Sequence, residues 1–237
     1  HQAEAFAALD AAAQRYPGNE TFLRQKIFYL IDLKLYQKAA ALGETYLETA
    51  NAQVADYLAI GRALRQSGQL ERARDFLEGA RLQYPDNVKL TVELAQVYLQ
   101  LEHTAAAAHL YEQAAFQDPT YMNQAAELYR KAGKLFVALN LNARVPEPKE
   151  KLKQRLAILL ELENYAMAAS MRDDLVRADL LSNEAIRYAL AYAQFKDGQF
   201  KAAEANLQRL TQSDLFRKAT ELRKAMAECR DAAWKCY

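Results

Sequence analysis

Apolar residues recur along this chain at helical spacing. Across residues 54–87, Tyr57, Ile60, Gly61 and Leu64 fall at i, i+3, i+4 and i+7, and Ala73, Leu77 and Ala80 make a second stripe after a short break. Such spacing gathers side chains on one face of a 3.6-residue helix, so it predicts two amphipathic helices. Gly68 stands between them, where a backbone without Cβ can reverse direction. The two-helix pattern returns at 88–121 through Leu94, Ala95, Tyr98, Ala107, Tyr111 and Ala114. Residues 20–53 keep it more loosely: Leu23, Ile27 and Leu30 share one helix, and Tyr36 and Ala39 open the next. The chain's start supplies a second helix only, through Ala5, Leu9 and Ala12. Prolines punctuate the series. Pro85 and Pro119 are 34 residues apart, and Pro17 lies two such steps before Pro85. A fixed period of this length is the mark of a repeat array.

The 34-residue unit resembles the tetratricopeptide repeat. That family has an aromatic, a Leu-Gly pair and a tyrosine-like residue on its first helix. Its second helix has small, bulky and small residues, followed by a proline. Tyr57, Ile60, Gly61, Leu64, Ala73, Leu77, Ala80 and Pro85 take those places. Gly43 stands where the family has a bulky residue. The resemblance implies an all-α fold, an α-solenoid of antiparallel helix pairs. It implies about six repeats closed by a C-terminal capping helix, since terminal helices in such arrays cover the last interface.

Beyond Tyr121 the register slips. Gly133 ends a short helix, another begins at Leu135, and Pro146 and Pro148 forbid its continuation. The Val145–Pro148 segment is the expected joint between an N-terminal array, residues 1–145, and C-terminal hairpins, residues 146–237. The latter are expected at 149–163 with 165–178 and at 184–197 with 200–211. Ser213 and Asp214 are placed to cap a last helix running to about Arg230.

Composition narrows the function. Of 237 residues, 51% are hydrophobic, which excludes a disordered chain. The 31 Lys and Arg nearly balance 30 Asp and Glu, so the usual electrostatic case for nucleic acid is missing. Seven glycines and five prolines disfavour sandwiches, dinucleotide folds and phosphate-cradling loops. No apolar run is long enough to insert directly into a membrane. The sequence opens at His1 without an initiator Met, as a mature form or a fragment would.

No catalytic constellation emerges. His103 and His109 are six apart, which defeats the i, i+4 geometry of a helical metal pair. Asp173 and Asp174 point about 100° apart on a helix, so they suit a solvated face better than shared acid–base work. A protein that is not an enzyme, without metal or cofactor, is therefore expected. Cys229 and Cys236, the two cysteines, are about 10.5 Å apart on a continuous helix, too far for a disulfide. They can pair as a terminal staple only if the helix ends near Asp231 and the tail folds back; otherwise they are two separate thiols.

Binding remains. In the family the second, fifth, ninth, twelfth and thirteenth residues of each repeat line a concave groove. The resemblance thus marks Arg24, Phe28, Ile31, Leu58, Arg62, Arg65, Gln66, Lys89, Val92, Gln96 and Leu99. Arg24, Arg62, Arg65 and Lys89 would suit an acidic peptide or partner helix; the alternative is an ordinary solvated face. Chaperone-tail capture in the family needs a carboxylate clamp of Lys, Asn, Asn, Lys and Arg. Arg24, Phe28, Ala59, Lys89 and Glu93 stand there, with Glu93 of the wrong sign, so that role is disfavoured. Tyr188, Tyr192 and Phe195 form an i, i+4, i+7 stripe that either grips a hydrophobic segment or packs in the core. Trp234, beside Cys236, either packs on the last helix or serves as a docking knob.

Residues 149–162 and 215–229 are also similar in texture to tetratricopeptide proteins encoded beside TonB–ExbB–ExbD systems of Gram-negative bacteria. That resemblance implies a periplasmic accessory of energised uptake, with TonB-system components as partners. A cytoplasmic location, a self-assembly module, or a regulatory interaction domain of a larger protein are the alternatives.

Overall fold

The structure is a computed structural model that describes residues 2–16 and 19–231. Pro17, Trp234 and Cys236 lie outside them. No strand occurs among the described residues, and the chain divides into two compact units, His1–Asp118 and Pro119–Tyr237.

The first unit holds α1 (Gln2–Arg15), α2 (Glu20–Asp32), α3 (Tyr36–Thr49), α4 (Val54–Gln66), α5 (Leu70–Gln83), α6 (Val88–Gln100) and α7 (Thr104–Gln117). Each of α2, α4 and α6 pairs with the helix that follows it, and α1 packs on α2 as a second helix without a first. Asn19 and Asn87 cap α2 and α6 by accepting from the Phe22 and Leu90 amides at 3.2 and 3.1 Å. At the third start Asp56 reaches back to the Gln53 amide at 2.9 Å.

The hairpin turns explain the period. Lys34, Gly68 and Glu102, spaced by 34, all have positive φ, at 58°, 80° and 62°. In each turn the next residue's amide returns to a carbonyl five residues back, as from Gln69 to Leu64 at 3.0 Å. This closure satisfies carbonyls that the helix end would leave open. In the second unit the positive-φ turns fall at Gly133, Glu163, Asp179 and Gly198, at intervals other than 34, which is the register slip seen in sequence. Non-glycine residues in this conformation cost about 1 kcal/mol each. Glu102→Gly and Lys34→Gly are each expected to stabilise by about 1 kcal/mol in urea unfolding; Gly68→Ala should do the reverse.

Glycines inside helices serve another purpose. A Cβ on Gly61 would stand 2.5 Å from Leu77 Cδ2, and one on Gly43 the same distance from Ile60 Cγ1. Ile60 and Leu77 are fully buried. Gly43 therefore belongs where a bulky residue was expected, because the next hairpin's Ile60 occupies that space.

The second unit follows a 3₁₀ turn at Pro119–Tyr121. It contains α8 (Met122–Lys131), α9 (Leu135–Asn142), α10 (Pro148–Glu161), α11 (Tyr165–Ser170), α12 (Arg172–Arg177), α13 (Glu184–Lys196), α14 (Phe200–Leu207) and α15 (Ser213–Asp231). The Val145–Pro148 segment lies within this unit: Val145 is buried, Glu147 caps α10 and Pro148 is its first residue. The single helix expected over 165–178 is interrupted at Met171. Ser170 Oγ donates to the Met167 carbonyl at 2.8 Å, and the Met171 amide turns to Ala168 at 3.2 Å instead. Gln154 ties three helices, donating to the Asn123 carbonyl and accepting from Asn142 Nδ2, both at 3.0 Å.

The last helix caps the array. Ala219, Leu222 and Met226 on α15 close over Ala191, Ala203 and Leu207. Glu184 holds its entry, accepting from the Thr211 and Gln212 amides at 2.8 and 2.9 Å. The Gln212 amide, then Thr211, hold this carboxyl below its ordinary range. A carboxyl depressed by folding contributes stability above its unfolded pKa and loses it as pH falls through the folded value. Amide protection at the start of α15, relative to the intrinsic exchange rate at each pH, is therefore expected to fall in acid, and Glu184→Gln to abolish that pH dependence.

Candidate functional site

The first helices of successive hairpins touch side by side, α2 to α4 and α4 to α6. The second helices are bridged through long side chains: Arg72 Nη2 meets both Glu44 oxygens at 2.6 Å, and Arg81 Nη2 meets Gln113 Oε1 at 2.9 Å. The α2–α4–α6 face is thus the continuous one, and it carries the residues marked in sequence.

Two buried acids organise that face. Arg24 Nε donates to Asp56 Oδ1 at 2.6 Å. Arg62 Nε and Arg65 Nε donate to the two oxygens of Glu93 at 2.8 and 2.7 Å. The Asp56 and Glu93 side chains are each only 3% exposed, whereas Arg24 is 42% and Arg62 58% exposed. Arg65 is the covered member at 11%. The expected basic patch is therefore a ladder of anchored cations, with each hairpin's arginine held by the next hairpin's acid. Each guanidinium makes its bond through Nε, and its Nη groups have no protein partner among the described residues. Arg24 also lies over the Phe28 ring at 5.0 Å, a cation–π contact that fixes it further.

Around the ladder, Phe28, Ile31, Leu58, Val92, Gln96 and Leu99 are half-buried, and Gln66 and Lys89 are exposed. Lys89 stands one turn before Glu93 on the same face of α6. The arrangement presents cationic forks beside apolar side chains and suits a carboxylate-bearing, partly apolar segment. Asp56 and Glu93 were not among the marked residues. Their signal in sequence is an acid 31 or 32 positions after an arginine, and Arg130 and Glu161 repeat it in the second unit.

The other candidates sit elsewhere. Tyr188, Tyr192 and Phe195 on α13 are partly buried against the cluster that α15 covers, with Tyr192 edge-on to Tyr165 at 6.0 Å and Phe195 tilted against Phe200. Their stripe is engaged in packing. Cys229 is buried on α15, which ends at Asp231; its proposed partner, Cys236, is outside the described residues. Among the described residues no group of three or more His, Cys, Asp or Glu could hold a metal ion, and no helix is long and apolar enough to cross a membrane.

Stacked antiparallel hairpins with a contiguous first-helix face define an α-solenoid, the architecture of interaction scaffolds. Residues 64–132 match the family model described as tetratricopeptide repeat. No curated protein matches the sequence significantly. Among solved structures, the chain is similar to the C-terminal part of a TPR repeat-containing protein from Cytophaga hutchinsonii, with TM-score 0.71 and 15% identity over 91% of this chain and 93% of that one. A tetratricopeptide repeat protein from Parabacteroides merdae gives 0.58 and 16%, over 91% and 90%. A chain of the Naa15/Naa10 complex bound to HypK-THB gives 0.66 and 16%, over 94% of this chain and 36% of that one. These likenesses establish the fold.

Proposed function

We propose that the protein is a non-enzymatic scaffold whose α2–α4–α6 face binds an acidic, partly apolar segment of a protein partner. The observation that carries this reading is the ladder of Arg24, Arg62 and Arg65, held by buried Asp56 and Glu93, with Arg24 and Arg62 exposed. Immobilising an arginine beforehand lowers the entropy lost on binding, so the anchored cations favour recognition beyond their net charge. The Naa15/Naa10 complex bound to HypK-THB is a precedent for a partner on a related fold.

Alanine at the arginines would leave Glu93 buried without a counter-charge, so the informative variant is the balanced one, Arg62→Gln with Arg65→Gln and Glu93→Gln. A labelled peptide of alternating Glu and Leu should bind the wild type, weaken steeply with salt, and lose about tenfold or more in affinity to the balanced variant. Equal binding by both would sink the proposal.

The narrower form of the reading is a periplasmic accessory of a TonB-type system, with the Cys229–Cys236 pair as an oxidised staple. It rests on the resemblance of residues 149–162 and 215–229. Capture from a Gram-negative envelope extract should recover TonB, ExbB or ExbD, and thiol titration of unreduced protein should find no reactive cysteine. Recovery of cytosolic proteins alone, or two free thiols, would reject this form and leave the scaffold reading standing.

A further inference from the structure

The opposite side of the first unit holds a second surface. Between α5 and α7, floored by Leu94 and Tyr98 of α6, lies an open cavity of about 800 Å³. Its α5 wall includes Asp75, Glu78, Gly79, Arg81 and Leu82, and its α7 wall includes Ala106, His109 and Leu110. Asp75, Glu78, Gly79 and Leu82 stand at i, i+3, i+4 and i+7, and the α7 residues at i, i+3 and i+4. Those are the spacings by which one helix offers ridges and grooves to another. Leu82 is 86% exposed at the edge of this cavity.

Gly79 gives the cavity its meaning. Three glycines lie inside helices among the described residues: Gly43, Gly61 and Gly79. The first two each receive a branched aliphatic side chain, Ile60 or Leu77, in the space a Cβ would take. Gly79 has nothing within 4 Å of that position. A glycine in mid-helix costs about 1 kcal/mol relative to alanine, and no intramolecular contact offsets that cost here. The chain's own usage therefore makes Gly79 a seat for an aliphatic side chain from outside.

Charge specifies the rest of the occupant. The lining has two acids and one cation. Glu78 accepts the Tyr98 hydroxyl through Oε1 and Asp75 accepts Arg74 through Oδ1, which leaves Glu78 Oε2 and Asp75 Oδ2 without a hydrogen-bond partner among the described residues. Arg81, the cation, is turned to Gln113. The α7 wall contains no Lys or Arg. From these features we infer that the α5–α7 groove binds an amphipathic helix of a partner protein, seating a Leu or Ile side chain at Gly79 and a Lys or Arg beside Asp75 and Glu78. The site is separate from the arginine ladder and takes a partner of opposite charge.

A fluorescein-labelled helix of leucine, alanine and lysine, with leucines at i, i+3 and i+7, is the probe; its counterpart carries glutamate for lysine. The lysine peptide is expected to bind the full chain more tightly than the glutamate one. Gly79→Met fills the seat, so it should weaken binding about tenfold or more while holding or raising Tm, since it replaces a mid-helix glycine without a clash. Asp75→Asn with Glu78→Gln should weaken binding several-fold. The balanced ladder variant should bind like wild type, which separates this result from that of the concave face. Wild-type affinity in Gly79→Met, or indifference to the peptide's charge, overturns the inference. So does a wild-type dimer in sedimentation that Gly79→Met dissociates, because the occupant is then a second copy.

Discussion

Replacing Arg62 and Arg65 together by alanine is expected to destabilise the first unit by about 3–5 kcal/mol, the usual cost of leaving a buried charge without its partner. Both arginines converge on Glu93, whose side chain is 3% exposed. Of the two, Arg65 should dominate, because Arg62 is 58% exposed and water can replace part of what it supplies. Adding Glu93→Gln to the double alanine variant should restore most of the loss, since a neutral amide tolerates burial far better than a lone carboxylate. Urea unfolding of the wild type, the two single alanine variants, the double variant and the triple variant reads this directly. A double alanine variant as stable as wild type would mean that Glu93 is not held as described, and the ladder would lose its anchor.

The second large effect concerns packing. Leu77→Ala removes a fully buried side chain lodged in the space above Gly61, and should cost about 2–5 kcal/mol. Gly61→Ala in the wild type should also be destabilising, by about 1–3 kcal/mol from overpacking, less the helix gain of alanine. Combined, the two changes should cost less than their sum, because the new methyl enters the cavity that Leu77 vacates. A coupling of about 1 kcal/mol or more of that sign is expected for residues in direct contact. Simple additivity would contradict the close approach of α4 and α5.

Much of this architecture is readable from the sequence, and the reasons are local. Hairpins at 54–87 and 88–121 are visible because stripe, turn and proline repeat at 34, and the positive-φ residues fall at the same interval. The second unit is harder because its turns depart from that interval and because the break at Met171, whose amide turns to the Ala168 carbonyl, is one that periodicity does not register. The site was half legible. Arg24, Arg62 and Arg65 stand out by type and place. Asp56 and Glu93 do not, because an acid on a predominantly apolar first helix reads as a misfit until its partner one repeat earlier is known. Glu93 illustrates this: its sign argues against a carboxylate clamp, and in the structure that same charge orients two arginines. Gly79 is likewise silent in sequence. Only the filled spaces at Gly43 and Gly61 show that an unfilled one is informative.

We propose the α2–α4–α6 face, with its anchored arginines, as the binding surface for an acidic partner segment. The most direct test is a backbone-amide NMR titration of the isotope-labelled full chain with the Glu-Leu peptide. Shifts are expected to concentrate around Arg24, Phe28, Arg62, Arg65 and Lys89 and to vanish in the Arg62→Gln, Arg65→Gln, Glu93→Gln protein. Shifts confined to other helices, or unchanged in that variant, would contradict it.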